Sequence, residues 1–198
     1  MKVLVVAADV PWPTDGGGKI ASLNVLRALA RHHAVDLLAL ADPAGPESLE
    51  PLRELTNQLQ TVPHAFTYSR HKRRQLMTAA RSVVSTSPYR QRKFRNAQFA
   101  EVLNQWKSRE RYDVVHYDQF GALGYRDAAL PSTALVHNVE HDMYRMASRT
   151  SSGLGRAWAR LEYPKLERFE ARALAEFDHS LRCQLTIATC SPRSAWTV

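Results

Sequence analysis

The sequence is short of cysteine, of long apolar runs and, over one stretch, of negative charge. Its two cysteines, Cys183 and Cys190, both stand near the C-terminus. They lack metal-ligand spacing and make no disulfide framework. No apolar run approaches the roughly 20 residues that cross a bilayer. Met1-Lys2 opens onto VLVVAA, which is too short for a signal-peptide core and is followed by Asp9. It reads as structure, so no export signal and a cytoplasmic setting are expected. There is no internal repeat and no low-complexity linker. A Walker phosphate loop is excluded as well. Gly18-Lys19 is present, but Pro13 stands where the first glycine must be and Ile20 where a magnesium-binding Ser or Thr must be.

Acidic residues are missing from Ser69 to Arg95. That stretch carries Arg70, Lys72, Arg73, Arg74, Arg81, Arg90, Arg92, Lys93 and Arg95. The chain of 198 residues has a net charge of +8, with 27 basic and 19 acidic residues. Outside this stretch basic and acidic residues nearly cancel, so the charge needs a local explanation. Tyr89 and Phe94 are its aromatic residues after position 70, too few to support base stacking. Leu76, Met77, Val83 and Val84 between the charges suit an interfacial helix on an anionic membrane surface.

What is there is a regular alternation. Val3 to Ala8 is a continuous apolar run, suited to a parallel strand covered on both faces. Pro11 and Pro13 delay the next helix. Asp15 is the expected cap, and Ile20, Leu23, Leu26, Leu29 and Ala30 form one apolar face. Val35 to Ala41 is the second strand. Pro46 to Leu59 reads as a helix, regular from Pro51, and Val62 to Tyr68 as a third strand. Arg70 to Val84 reads as a helix with Leu76, Met77, Ala80 and Val84 inward. Ser87-Pro88-Tyr89 breaks it. Asn96 to Lys107 is a helix, and Tyr112 to Tyr117 is a strand. Asp118 to Leu130 is a loop with a short helix. Thr133 to Val139 is a strand, and Arg156 to Phe177 is a long charged helix with Pro164 as a candidate kink. Strands alternating with helices predict an α/β fold: a Rossmann-like, doubly wound parallel sheet.

The loop between the first strand and the first helix, VPWPTDGGGK, organises the chain. Gly16, Gly17 and Gly18 leave backbone N–H groups uncovered at a helix start, where the peptide dipoles place partial positive charge. Such a place suits a phosphate or carboxylate. A plain tight turn is the alternative. Gly16, Gly18 and Ala21 also fit G-x-G-x-x-A, with Asp42 ending the second strand. Against a dinucleotide fingerprint, PWPTD pushes the first glycine several residues past the strand.

In order, P-W-P-T-D-G-G-G-K, N-V-L-R-A-L-A-R-H-H-A-V-D-L-L-A-L-A, Y-D-V-V-H-Y-D-Q and A-L-V-H-N-V-E-H resemble the N-terminal domain of GT-B glycosyltransferases of the family-4 type. The resemblance runs from Met1 to about Leu181. It implies the N-terminal half of a GT-B fold and a retaining enzyme that moves a sugar from a nucleotide-sugar to a glycan or lipid-linked acceptor. It implies no metal and no cofactor beyond the nucleotide-sugar substrate. It places Gly16, Gly17, Gly18, Lys19, Asp118, Asn138 and Glu140 around the donor and acceptor cleft, with His137 as the catalytic candidate. The imidazole of His137 would donate a hydrogen bond to a sugar hydroxyl or to developing charge. A strand-end structural histidine is the alternative. His116, inside a strand, reads as structural. A metal site from His137, His141 and Asp142 fails, because the first belongs to a strand. The resemblance also favours an anionic membrane partner for the basic patch of Arg70, Lys72, Arg73, Arg74, Arg90, Arg92 and Lys93. Nucleic acid is the weaker partner.

The family's donor-binding domain has no counterpart in the sequence, so an inactive or nearly inactive fragment is expected. Residues 182–198, RCQLTIATCSPRSAWTV, lose the earlier pattern. Arg-Cys-Gln can be read one base out of frame as Ala-Val-Ser, and the following codons admit Asp-Asp-Arg-Asp-Leu. A frameshifted tail on a truncated glycosyltransferase is the resulting expectation. The alternative to this whole reading is a small Rossmann-like module for a dinucleotide or nucleic acid.

Overall fold

Strand β1 (Lys2–Ala7) shows how alternation builds the sheet. Side chains on a strand point to opposite faces in turn. Leu4 and Val6 enter one apolar cluster with Leu38, Leu40, Val115 and Tyr117. Val3, Val5 and Ala7 enter the other, with Leu37, Ala39, Leu23 and Leu26. Both faces are covered, so the whole run is apolar. Each fully buried leucine contributes about 1.5–3 kcal/mol. The computed structural model describes residues 1–43, 48–64, 72–137 and 139–182, with the backbone alone at 72–76, 78, 181 and 182.

The remaining strands are β2 (Ala34–Ala41), β3 (Gln58–Pro63), β4 (Val114–Asp118), β5 (Ser132–Val136) and β6 (His179–Arg182). All pairings are parallel, in the order β3-β2-β1-β4-β5-β6. This is the doubly wound α/β sheet the alternation predicts. The direction of winding reverses between β1 and β4. Ligands in open sheets of this kind sit beyond the strands' carboxyl ends at that switch.

Helix α1 (Gly17–Ala30) covers the Val3–Val5–Ala7 face. Helix α2 (Glu50–Arg53) adds Leu52 to the same side. The other face is covered by α5 (Ala97–Arg109) through Phe99 and Leu103, and by α7 (Gly153–Ala175) through Leu166 and Leu174. Asn96 caps α5, its side chain accepting from Phe99 N at 3.1 Å. Helices α3 (Lys72–Val83) and α4 (Tyr89–Lys93) precede α5, and α6 (Glu140–Thr150) packs along α7. A 3-10 segment spans Phe120–Tyr125.

Several sequence expectations need correction. Residues from Glu50 make only one helical turn, and the strand starts at Gln58, ahead of the expected Val62. Gln58 and Gln60 are exposed while Leu59 between them is half-buried against the Leu37 cluster, the alternation of an edge strand. The expected strand end at 65–68 lies outside the described residues. Met77, Ala80 and Val84 of the α3 region were expected inward and are exposed, and the side chain of Leu76, expected with them, lies outside the described ones; among the described side chains Ser82 is the buried one. Its hydroxyl bonds Ala79 O, and its carbonyl accepts from Lys165 Nζ at 2.5 Å. Ile20 also faces solvent, 46% exposed. Tyr89–Lys93 forms a short helix where only a break was read. Strand β5 ends at Val136, short of the expected Val139, so His137 follows it. Helix α7 runs from Gly153 through Pro164 to Ala175. Residues 183–198, with both cysteines, lie outside the described residues.

Candidate functional site

Parity places the site. In register, Val5 pairs with His116 and Ala7 with Asp118. His116 in turn pairs with Thr133. Positions 116 and 118, and 133, 135 and 137, therefore share the face that α1 covers. Asp118 ends β4 and His137 follows β5, so both stand at the carboxyl ends beside the switch point.

Ser22 of α1 meets them. Its Oγ lies 2.9 Å from Nε2 of His137, and Asp118 Oδ1 lies 3.1 Å from the same nitrogen. All three side chains are largely enclosed, His137 at 12% side-chain exposure and Asp118 at 4%. Asp118 is a carboxylate and can only accept. A proton on Nε2 lets the ring donate to Asp118, with the serine hydroxyl oxygen alongside. The opposite tautomer would set a ring lone pair against the carboxylate. Nδ1 is then the nitrogen left for a ligand, and it has no hydrogen-bond partner among the described residues. A neutral ring accepts there. It donates only as the imidazolium. That refines the donor role expected for His137. The arrangement is also not a nucleophilic relay, because hydroxyl and carboxylate share one nitrogen.

The helix start lies against the ring. A Cβ on Gly18 would sit 3.7 Å from His137 Cδ2, while one on Gly16 or Gly17 would meet nothing within 4 Å. Gly16 is the N-cap with φ −156°, and no side chain caps the helix. Asp15, the expected cap, instead pairs with Lys19 at 3.2 Å. The amides of Gly17, Gly18 and Lys19 have no intrahelical acceptor at a helix start, since the first bond of this turn is Ile20 N to Gly16 O. Lys19 is at the site but is held between Asp15 and Asp9, the latter at 3.8 Å. Burial raises the pKa of Asp9 against the pull of Lys19.

Gln119 adds strain next to Asp118. Its φ of 71° and ψ of 156° lie in a region that only glycine visits freely. Its N–H donates to Leu135 O at 2.8 Å, which ties the ends of β4 and β5 together. His116 stands behind the site and donates or accepts through Nδ1 to Thr133 Oγ1 at 2.8 Å. Burial lowers its pKa, as does His137, while Asp118 raises it.

The other expected site residues separate. Glu140 does not reach His137 in any hydrogen bond; its Oε1 accepts from Arg90 Nη2 at 2.8 Å. His141 pairs with buried Glu170 at 2.7 Å. Arg92 donates to Ser85 Oγ at 2.7 Å, and Lys93 lies over the Phe94 ring. The basic patch is thus two populations: α4 cations engaged internally, and Lys72, Arg73 and Arg74 on α3, whose side chains are not described. Arg70 and Asn138 lie outside the described residues. Ser22 was missed. It is a small polar residue among apolar helix positions, on the face where a core residue belongs, and only its contact with His137 distinguishes it. No protein-family model matches the chain, and no curated protein matches it.

Proposed function

We propose that this chain supplies the acceptor-side half of a retaining glycosyltransferase, which moves a sugar from a nucleotide-sugar to a glycan or lipid-linked acceptor. The observation that carries the reading is the glycine triplet. None of Gly16, Gly17 and Gly18 has a positive φ, and none would clash on gaining a Cβ. Two of them open the first turn of α1, where glycine costs up to about 1 kcal/mol relative to alanine. Folding does not need them. A ligand that presses an anionic group against bare amides does. In this reading the donor diphosphate lies on the Gly17–Lys19 amides, and a sugar hydroxyl approaches Nδ1 of His137. A facing domain supplies the contacts to base and ribose, so the described domain alone transfers sugar slowly or not at all.

A dinucleotide site shares the strand order and the paired glycines. Residues 8–16 separate β1 from α1, however, whereas that fingerprint turns immediately. Titration with UDP- and GDP-sugars, NAD, NADP and an oligonucleotide, followed by amide NMR, separates the readings. Shifts at Gly17, Gly18 and His137 with the nucleotide-sugars support the proposal. Tighter binding of NAD, or of the oligonucleotide, overturns it.

Membrane contact belongs to the same reading. Met77, Val83 and Val84 are exposed at 56%, 48% and 90% beside the basic run. No helix among the described residues is long and apolar enough to cross a membrane. Peripheral binding predicts sedimentation with anionic vesicles that weakens with salt and is absent with neutral ones. Equal binding to both removes the claim.

A further inference from the structure

A cationic hollow lies away from the His137 site. It has a volume of 570 Å³ and is bounded by the turn between α3 and α4 on one side and by α7 on the other. Ser22, Asp118 and His137 lie on the α1 face of the sheet, whereas α7 packs on the opposite face. The two sites share no residue.

Its chemistry is asymmetric. Arg168 and Arg172 are one helical turn apart on α7 and line the hollow together. Both are exposed, and neither has a hydrogen bond or ion pair among the described residues. Lys165 also lines it but is already used, bonding Glu162 at 3.0 Å and Ser82 O at 2.5 Å. Glu176 is the acidic residue of the lining, and Arg126 answers it at 3.6 Å. Two guanidinium charges are left uncompensated. Across from them stand the hydroxyls of Ser85, Thr86 and Ser87. Ser85 Oγ is held by Arg92 at 2.7 Å and accepts from Ser87 N at 3.1 Å, so the turn is fixed. Phe169 is packed edge-on against Phe120 and contributes apolar lining to the hollow.

We infer that this hollow is a binding site for a phosphate ester, with Arg168 and Arg172 clamping the phosphoryl oxygens and the Ser85–Ser87 turn donating from the other wall. Guanidinium groups present parallel N–H donors that match phosphate geometry. Hydroxyls supply further donors without charge. The apolar lining of Phe169 takes the ester's organic part. The inference is independent of the glycosyltransferase reading.

The test titrates the full chain with inorganic phosphate and pyrophosphate at constant ionic strength, read by calorimetry and amide NMR. R168Q/R172Q is compared with R149Q/R160Q, which makes the same charge change at exposed positions elsewhere. Binding with shifts at Ser85–Ser87, weakened tenfold or more in R168Q/R172Q and kept in R149Q/R160Q, is the expected result. Vesicles containing phosphatidate identify the source. Sedimentation lost in R168Q/R172Q assigns a lipid phosphate, and binding of the free anions alone assigns a soluble ester. Equal weakening in both double variants overturns the inference, as do shifts confined to Gly17–Lys19 or no binding by any probe. Circular dichroism and melting of each variant exclude misfolding as the cause.

Discussion

Ser22 Oγ and Asp118 Oδ1 both address Nε2 of His137, at 2.9 and 3.1 Å. One nitrogen is thereby fixed by a carboxylate, and the other, Nδ1, has no hydrogen-bond partner among the described residues. The D118N variant tests this. Its amide can present N–H or C=O to the ring, so it no longer selects the tautomer. Nitrogen-15 NMR of the imidazole should show Nε2–H in the parent and a mixture in D118N. A stability loss of about 1 kcal/mol should accompany it, because a neutral amide replaces the carboxylate as the buried acceptor. An unchanged tautomer would remove the role assigned to Asp118.

The glycine triplet predicts opposite effects on stability and binding. G17A and G18A should each stabilise the fold by up to about 1 kcal/mol, since alanine favours the helix and has room. Both should weaken nucleotide-sugar or diphosphate binding tenfold or more, by holding the anion off the amides. Thermal melts and calorimetry measure the two. Stabilisation without loss of binding would mean the triplet is no ligand wall.

The turn after β4 holds two residues whose exchange should act in opposite directions. Gln119 occupies glycine's region of φ and ψ, so Q119G should stabilise by about 1 kcal/mol as strain is released. Gly121 is the reverse case. A Cβ there would meet Phe94 Cγ at 2.5 Å and Ala8 Cβ at 2.7 Å. G121A should cost about 1–3 kcal/mol by overpacking. Urea denaturation of both variants checks the signs.

His116 makes stability depend on pH. Burial holds its folded pKa below the ordinary 6.5. Between the folded value and 6.5 the unfolded chain binds more protons, so stability falls as pH drops below 6.5 and is fully present above it. Unfolding measured at about pH 7.5 and about pH 5.5 should show this fall, and H116Q should flatten it. An equal slope in H116Q would assign the effect to other groups.

Local pattern settled much of this protein. The apolar runs at Val3–Ala8 and Val35–Ala41 required strands buried on both sides, and their alternation with helices required a parallel doubly wound sheet. The glycines were conspicuous for the same reason: they interrupt a pattern. What local pattern misjudged was burial that depends on neighbours. Met77 and Val84 are apolar yet exposed, while among the described side chains of α3 it is Ser82 that is buried, beside Lys165. Glu140 and His137 are three residues apart yet do not bond, because Arg90 takes the carboxylate. The meeting of Ser22, Asp118 and His137 spans 115 residues of separation between its ends. Only strand register and the side on which α1 packs bring those three atoms to one point, and register is a property of the assembled sheet.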